Sequence, residues 1–261
     1  EGLQHEDGHS HILAGTIPNC VSYDPTFAYE TVAIIRDGMR RMYQDQEDVY
    51  YYVTLMNENY THPGMAEAAA GAATEEGILK GLYLLTKGEA QKTGLTVQLM
   101  GSGTILREVI AAAGLLAQDF GVAADIWSAT SFNELRRDGM AAERWNLLHP
   151  TEERRKSWVE AQLAGHGGPV VASTDYMRNY ADQIREYVQA AGKRYVVLGT
   201  DGFGRSDYRA NLRRFFEVDR HYVVVAALKA LADEGKLPTS AVAEAIQKYG
   251  LDGARPAPWT V

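Results

Sequence analysis

Short runs of β-branched and aromatic residues alternate with helical patterns along most of this chain, and this alternation limits its fold more than any other feature. Each run ends near a Gly, Ser, Asp or Pro, after which apolar residues recur at helical spacing. Strands that alternate with helices favour an α/β architecture with a mostly parallel sheet. The predicted strands are residues 19–23, 49–56, 96–100, 125–130, 170–173 and 195–199.

The predicted elements are unevenly distributed along the chain. Residues 61–94 are rich in Ala, Gly, Glu and Lys, with one helical stretch around 75–85, and read as a connector that belongs to no layer. Only two strands and one helix precede it, too few for an independent domain. The sequence therefore predicts the end of one α/β domain at 1–60, a connector at 61–94 and a complete second domain at 95–261. The incomplete first domain is expected to leave an apolar edge or face exposed.

Composition excludes several classes of protein. Of 261 residues, 46% are hydrophobic, and 26 basic against 34 acidic side chains give a net charge of −8. An acidic chain without a basic stripe argues against nucleic-acid binding. The lone Cys20 excludes an internal disulfide framework and suits a reducing compartment. No apolar run reaches transmembrane length, so a cytoplasmic protein with no membrane partner is expected.

The first eleven residues, EGLQHEDGHSH, hold three histidines and three carboxylates. His5, His9 and His11 could ligate a metal ion, but their spacing matches no structural zinc pattern and no HExxH helix supports them. A solvated surface turn is the plain alternative. A polar loop that leads into a buried strand is nevertheless where α/β sheets present active-site groups. A histidine there can move a proton, and a nearby glutamate can orient it.

Other motifs carry weaker signals. Residues 101–103 (GSG) read as a tight turn between strand and helix. Residues 202–207 (GFGRSD) partly match a dinucleotide-binding motif, but Asp207 stands where the motif has its third glycine. Dinucleotide binding is therefore rejected, and these residues are interpreted as a loop at a domain or subunit contact. Glu58 and His62, at the end of a predicted strand, are interpreted as structural. No GxSxG motif supports serine hydrolysis.

Several peptides together resemble one family. They are EGLQHEDGHSH, IPNCVSYDP, TLMNENYTHPGM, MGSGTILREV, SFNELRRDG, ERWN and TDGFGRSD. The chain resembles the carboxyl-terminal part of the homodimeric bacterial pyruvate dehydrogenases, a branch of the transketolase superfamily. These enzymes are the thiamine-diphosphate-dependent first components of the pyruvate dehydrogenase complex. The resemblance covers essentially the whole chain.

The resemblance implies roles for two residues at the amino end. It identifies His5 as a catalytic histidine that contacts the substrate-derived part of the thiamine adduct, and Glu1 as the glutamate of the same loop, close to the dimer interface and the cofactor. The cofactors would be thiamine diphosphate and Mg²⁺, bound mostly outside this chain, because the family's GDG…N segment is absent. No cofactor-binding or metal-ligating residue is therefore assigned here.

The implied partners are a second copy of the chain, the lipoyl acyltransferase of the complex, and pyruvate. Residues 1–60 would close a pyrimidine-binding domain, and 95–261 would form a transketolase-type carboxyl-terminal domain. The chain alone is expected to be inactive. A non-catalytic α/β dimerisation module, a sister enzyme such as a 2-oxoglutarate dehydrogenase or a transketolase, and a metal-dependent hydrolase are the alternatives.

Overall fold

The amino-terminal part of the chain forms a small parallel sheet. In a computed structural model, which describes residues 5–65 and 72–261, Cys20 pairs with Tyr50 across this sheet. Its elements, in chain order, are α1 (Ser10–Gly15), β1 (Cys20–Tyr23), α2 (Ala28–Met39, continued by a π-helical turn at Arg40–Gln44) and β2 (Tyr50–Val53). Both predicted strands are present, but β1 is one residue shorter than predicted and β2 covers only four of the eight predicted residues.

A five-stranded sheet forms the second part. The elements that follow β2 are α3 (Ala72–Lys80), β3 (Tyr83–Thr86), β4 (Thr96–Gly101), α4 (Ile105–Phe120), β5 (Ala123–Ser128), α5 (Phe132–Leu148), α6 (Trp158–Leu163), β6 (Val170–Ser173), α7 (Arg178–Asp182), α8 (Arg185–Ala190), β7 (Tyr195–Leu198), α9 (Arg209–Phe215), α10 (Arg220–Asp233), α11 (Thr239–Lys248) and a 3₁₀ turn (Pro258–Thr260). The strands lie in the order β3-β5-β4-β6-β7, with β3 antiparallel and the rest parallel. The predicted α/β class with a mostly parallel sheet is confirmed.

The period-two alternation of strand side chains builds a core layer on each face of this sheet. Along β4, Val97 and Leu99 pack into the layer that contains α4 and α10. Met100 packs into the opposite layer with Trp127 and Phe132, from β5 and α5. Both faces are covered, as expected for parallel strands with helical crossovers.

The connector predicted at 61–94 differs from the structure in its second half. The helix expected around 75–85 ends at Lys80, and β3 then joins the large sheet as its antiparallel edge. Gly81 ends the helix with φ +102°, and a Cβ there would lie 2.4 Å from the carbonyl oxygen of Ser131. Glycine tolerates both the positive φ and the close approach of Ser131. The helix can therefore end at this residue, and the apolar run that follows forms β3.

The carboxyl ends of the two sheets face each other. Asp24, directly after β1, is fully buried against Gly103, which follows β4, and accepts a hydrogen bond from the Thr54 hydroxyl at 2.9 Å. The Thr26 hydroxyl donates to the carbonyl oxygen of Gly103 at 2.6 Å. Parallel sheets present their binding groups at this edge, so the meeting of the two edges positions the candidate site.

One face of α2 is apolar and exposed. Val32, Ile35, Met39 and Tyr43 recur at helical spacing, and each keeps more than half of its surface exposed. This is the exposed apolar face expected for the first domain. Over residues 5–65 and 72–261, no helix is both long and apolar enough to cross a bilayer.

Candidate active site

The loop that carries His5 is organised by Asp7. The carboxylate of Asp7 accepts hydrogen bonds from the backbone N–H groups of His9 at 3.2 Å and Ser10 at 3.0 Å, and from the Ser10 hydroxyl at 2.6 Å. The carboxylate thus satisfies amide groups where α1 begins, which fixes the direction in which the chain leaves the loop. The side chain of His5 is exposed.

His11 anchors the other end of this loop in the protein interior. Its ring is completely buried, stacked on Tyr180 at 4.7 Å and edge-on to Tyr176 at 4.6 Å between ring centroids. Its Nε2 lies 2.8 Å from the Thr54 hydroxyl, which also hydrogen-bonds to Asp24 at 2.9 Å, so His11 belongs to a buried polar chain. Burial lowers the pKa of His11 to about 4, against the weaker opposing effect of Asp7. His11 is therefore a neutral structural anchor near neutral pH.

The His5 loop forms one wall of a cavity of about 520 Å³. The opposite walls come from the carboxyl ends of β2, β6 and β7, which are followed by Thr54, Asp175 and Thr200. The cavity is lined by residues 5–9, 52–56, 175, 176, 200, 202–204, 212, 213, 216 and 218. It therefore lies between the two parts of the chain, at the strand ends where α/β proteins bind small molecules.

Two carboxyl groups lie in or beside this cavity, that of the buried Asp24 and that of the partly buried Asp175. Burial raises the pKa of Asp24 to about 7, while the Thr54 and Ser102 hydroxyls lower it less. Burial also raises the pKa of Asp175, which lines the cavity, with an opposing contribution from Arg213. Carboxyl groups with raised pKa values can remain protonated and donate hydrogen bonds, which makes them candidates for functional groups.

Glu58, interpreted from the sequence as structural, joins the two parts of the chain. Its carboxylate pairs with Arg107 at 2.7 Å and with Arg213, and Arg213 also approaches Glu108 at 3.4 Å. Burial would raise the pKa of Glu58, but the two arginines outweigh it and hold the pKa below its usual value. His62 accepts a hydrogen bond from the backbone N–H of Ala28 at 3.1 Å. Both contacts are structural in character.

The two residues singled out from the sequence are placed differently. His5 lies on the cavity wall, whereas Glu1 lies outside the described residues, so its relation to His5 stays a prediction. Sequence reasoning missed Asp24, Asp175 and Tyr176. Asp24 directly follows β1, and Asp175 and Tyr176 lie two and three residues after β6. The rule that parallel strands carry binding groups at their carboxyl ends could have indicated them.

The described part of the cavity wall does not suit the phosphate groups of a diphosphate. Glu6, Asp7 and Asp175 contribute carboxyl groups against the single guanidinium of Arg213, and a diphosphate needs positive charge or backbone amide donors. Among residues 5–65 and 72–261, no group of three His, Cys, Asp or Glu side chains is arranged to hold a metal ion. The hydrogen-bonding groups around His5 suit a small polar molecule.

Comparison with known proteins assigns both parts of the chain to described domains. Residues 1–63 match the pyruvate dehydrogenase E1 component middle domain. Residues 81–219, more than half of the chain, match the transketolase-like TK C-terminal domain. The chain therefore belongs to the transketolase-like family that this carboxyl-terminal domain defines.

The resemblance to bacterial pyruvate dehydrogenases is confirmed by sequence relatives. The chain is 62% identical over 97% of its length to the pyruvate dehydrogenase E1 component of Pseudomonas aeruginosa, covering 28% of that protein. It is 59% identical over its whole length to that of Cupriavidus necator (28% covered) and 56% identical over 97% to that of Escherichia coli K12 (27% covered). The chain thus spans little more than a quarter of the relatives it matches.

Solved structures agree with the fold. A split-gene transketolase described as an inactive beta4 tetramer aligns with 88% of this chain and 64% of its own, with a TM-score of 0.60 and 16% identity. The transketolase of Leishmania mexicana aligns with 98% of this chain and 29% of its own, with a TM-score of 0.56 and 17% identity. At such identities the likeness concerns the fold alone.

Proposed function

We propose that this chain is the carboxyl-terminal part of a pyruvate dehydrogenase first component, which when complete decarboxylates pyruvate oxidatively and acetylates a lipoyl group. The observation that carries the proposal is 62% identity over 97% of the chain to a protein named for this activity. The position of His5 on the wall of a cavity at the strand ends supports it.

In this proposal His5 is the group of this chain that acts on the substrate. An exposed imidazole at the edge of a cavity can donate a hydrogen bond to the carboxylate or hydroxyl oxygen of a 2-oxo acid derivative and move a proton to or from it. The hydrogen bonds that Asp7 accepts from His9 and Ser10 connect the loop beside His5 to the start of α1. Glu1 is proposed to position the same loop.

The cofactors and partners belong to the complete protein. Thiamine diphosphate and Mg²⁺ are proposed to be held by residues outside this chain, in keeping with the acidic cavity wall described above. A second copy and the lipoyl acyltransferase are the proposed protein partners, and the cytoplasm is the proposed location. The isolated chain is therefore expected to have no activity.

The test compares the complete protein with its His5→Ala variant in an assay of pyruvate decarboxylation. Loss of a proton-transferring side chain is expected to lower kcat on the order of 10²- to 10⁴-fold. His149→Ala is the control, because His149 stacks on Trp145 of its own helix end at 3.5 Å, away from the cavity. Wild-type kcat in the His5 variant would refute the assignment.

A parallel test uses this chain alone in calorimetric titration with thiamine diphosphate and Mg²⁺. We expect neither binding nor turnover. Tight binding with turnover would contradict the proposal that the cofactor ligands lie elsewhere.

The alternative of a dimerisation module is favoured by one observation, the exposed apolar face of α2. Such faces mark association surfaces. Sedimentation of the complete protein should show dissociation for Ile35→Glu if α2 lies between two copies. Leu147→Glu, at an exposed apolar position of α5, is the control. An intact dimer in both variants would exclude α2 as the dimer face.

A further inference from the structure

The loop of residues 202–207 (GFGRSD) has no role in the proposed reaction, yet it lies against the candidate catalytic loop. It follows β7, and both of its glycines have positive φ, +127° at Gly202 and +88° at Gly204. Gly202 and Gly204 line the same cavity as His5. The carboxyl-terminal domain therefore brings a glycine-rich turn to the wall that His5 occupies.

Gly204 packs directly on the residue next to His5. A Cβ added to Gly204 would lie 2.3 Å from Cγ and 2.6 Å from Cβ of Glu6. These atoms are close to the backbone of Glu6, so rotation at the far end of its side chain cannot relieve the overlap. Any side chain at 204 therefore requires backbone movement, either at Glu6, next to His5, or in the turn that carries residue 204.

A second contact from the same domain holds the loop at Gly8. The backbone N–H of Met177, just after Tyr176, donates a hydrogen bond to the carbonyl oxygen of Gly8 at 3.1 Å. On the side of β7, a Cβ at Gly8 would make ordinary contact with the carbonyl oxygen of Thr200 at 3.8 Å. The loop of residues 5–9 thus lies between two turns that follow β6 and β7.

We propose that Gly204 is a positioning residue for His5, so that the carboxyl-terminal domain, through Gly204 and the Met177–Gly8 hydrogen bond, sets where the imidazole stands. The inference rests on the proposed function, because it concerns the same histidine. It assigns a role in catalysis to a domain that contributes no proton-transferring group of its own to the proposal. Displacement of a catalytic group by about 1 Å can cost on the order of 10²-fold in rate.

The first experiment uses Gly204→Ala in the complete protein, with Gly165→Ala as the matched control. Gly165 also has positive φ, +80°, but a Cβ there meets nothing within 4 Å. Both variants share the backbone strain of alanine at positive φ, and only the first places a methyl group against Glu6. We expect Gly204→Ala to lower kcat for pyruvate on the order of 10- to 100-fold with little change in KM, and Gly165→Ala to leave both unchanged.

A double-mutant experiment with Glu6→Gly tests whether the loss of kcat in Gly204→Ala comes from contact with Glu6. The Glu6→Gly variant lacks the three Glu6 atoms, Cβ, Cγ and Cδ, that lie nearest to a methyl group on residue 204. In that background Gly204→Ala should cost far less of kcat than it does alone, which is a coupling between the two sites. An equal loss of kcat in both backgrounds would overturn the proposal.

A variant at Met177 keeps the proposal falsifiable if Gly204→Ala does not fold. Met177 has φ −59°, a value that proline adopts, so Met177→Pro removes the N–H donor to Gly8 without forcing φ. Met177→Ala keeps the donor and loses the same side-chain bulk. We expect kcat to fall in the proline variant relative to the alanine variant, and equal values would overturn the proposal.

The rate of modification of His5 by diethyl pyrocarbonate, followed by peptide mass spectrometry, separates this inference from the proposed function. It needs no turnover. A changed rate in Gly204→Ala but not in Gly165→Ala supports positioning, even if the complete protein proves inactive on pyruvate. Unchanged rates and unchanged kcat in Gly204→Ala would overturn it.

Discussion

The buried carboxyl group of Asp24 makes stability depend on pH in a way that one substitution can remove. Asp24 is 1% exposed, between β1 and the turn that follows β4. Burial raises its pKa from 3.8 to about 7, with smaller contributions in the same direction from Asp175 and Glu30. Between these values the unfolded chain releases the proton while the folded chain keeps it, so the free energy of unfolding falls as pH rises.

The size of the effect follows from the shift. About three pKa units at about 1.4 kcal/mol each give about 4 kcal/mol, fully present below pH 4 and lost as pH rises through about 7. Asp24→Asn cannot ionise. The difference in unfolding free energy between wild type and Asp24→Asn should therefore change by about 4 kcal/mol, in favour of the variant, from pH 4 to pH 8.

Urea denaturation followed by circular dichroism at half-unit pH steps measures this difference. The absolute stability of the variant does not matter, because only the pH dependence of the difference reports on Asp24. Asp252→Asn, at an exposed position, controls for the substitution itself. A flat difference for Asp24→Asn would refute the reasoning, since it would mean that the folded protein hydrates or pairs the carboxylate.

Three further substitutions test packing and capping by urea denaturation. In α5, Gly139→Ala would place a methyl carbon 2.2 Å from Cζ of Tyr187 and should lower the free energy of unfolding by about 1–3 kcal/mol. In α4, a methyl group from Gly114→Ala meets nothing within 4 Å, so this control should raise the free energy of unfolding by about 0.5–1 kcal/mol. Equal effects of the two substitutions would contradict the packing argument. Ser131→Ala removes both the cap of α5 and a hydrogen bond of 2.6 Å to the carbonyl oxygen of Ser22, so it should destabilise by about 2 kcal/mol; a loss below about 0.5 kcal/mol would show that water replaces the hydroxyl.

The local sequence pattern predicted most helices and strands correctly, and it failed where the chain changes from a helix to a strand. The strands at 96–100 and 170–173 lie where the sequence predicts them, because β-branched composition and flanking turn residues are local signals. The helix expected around 75–85 instead ends early and gives way to β3. A short apolar run suits either a helix or a strand, and pairing with β5 decides between them.

The sequence by itself determined the fold class, the family and the candidate histidine of this protein. Hydrophobic period is an intrinsic property of each segment, and the specific peptides around His5 need no structure to be identified. Only the tertiary structure decided what surrounds that histidine. Asp175 and Gly204 lie some 170 and 200 positions away in sequence and reach its cavity because the strands before them end at one edge of a parallel sheet. No local propensity encodes that meeting, since it depends on strand order and on the burial of Asp24 between the two sheets.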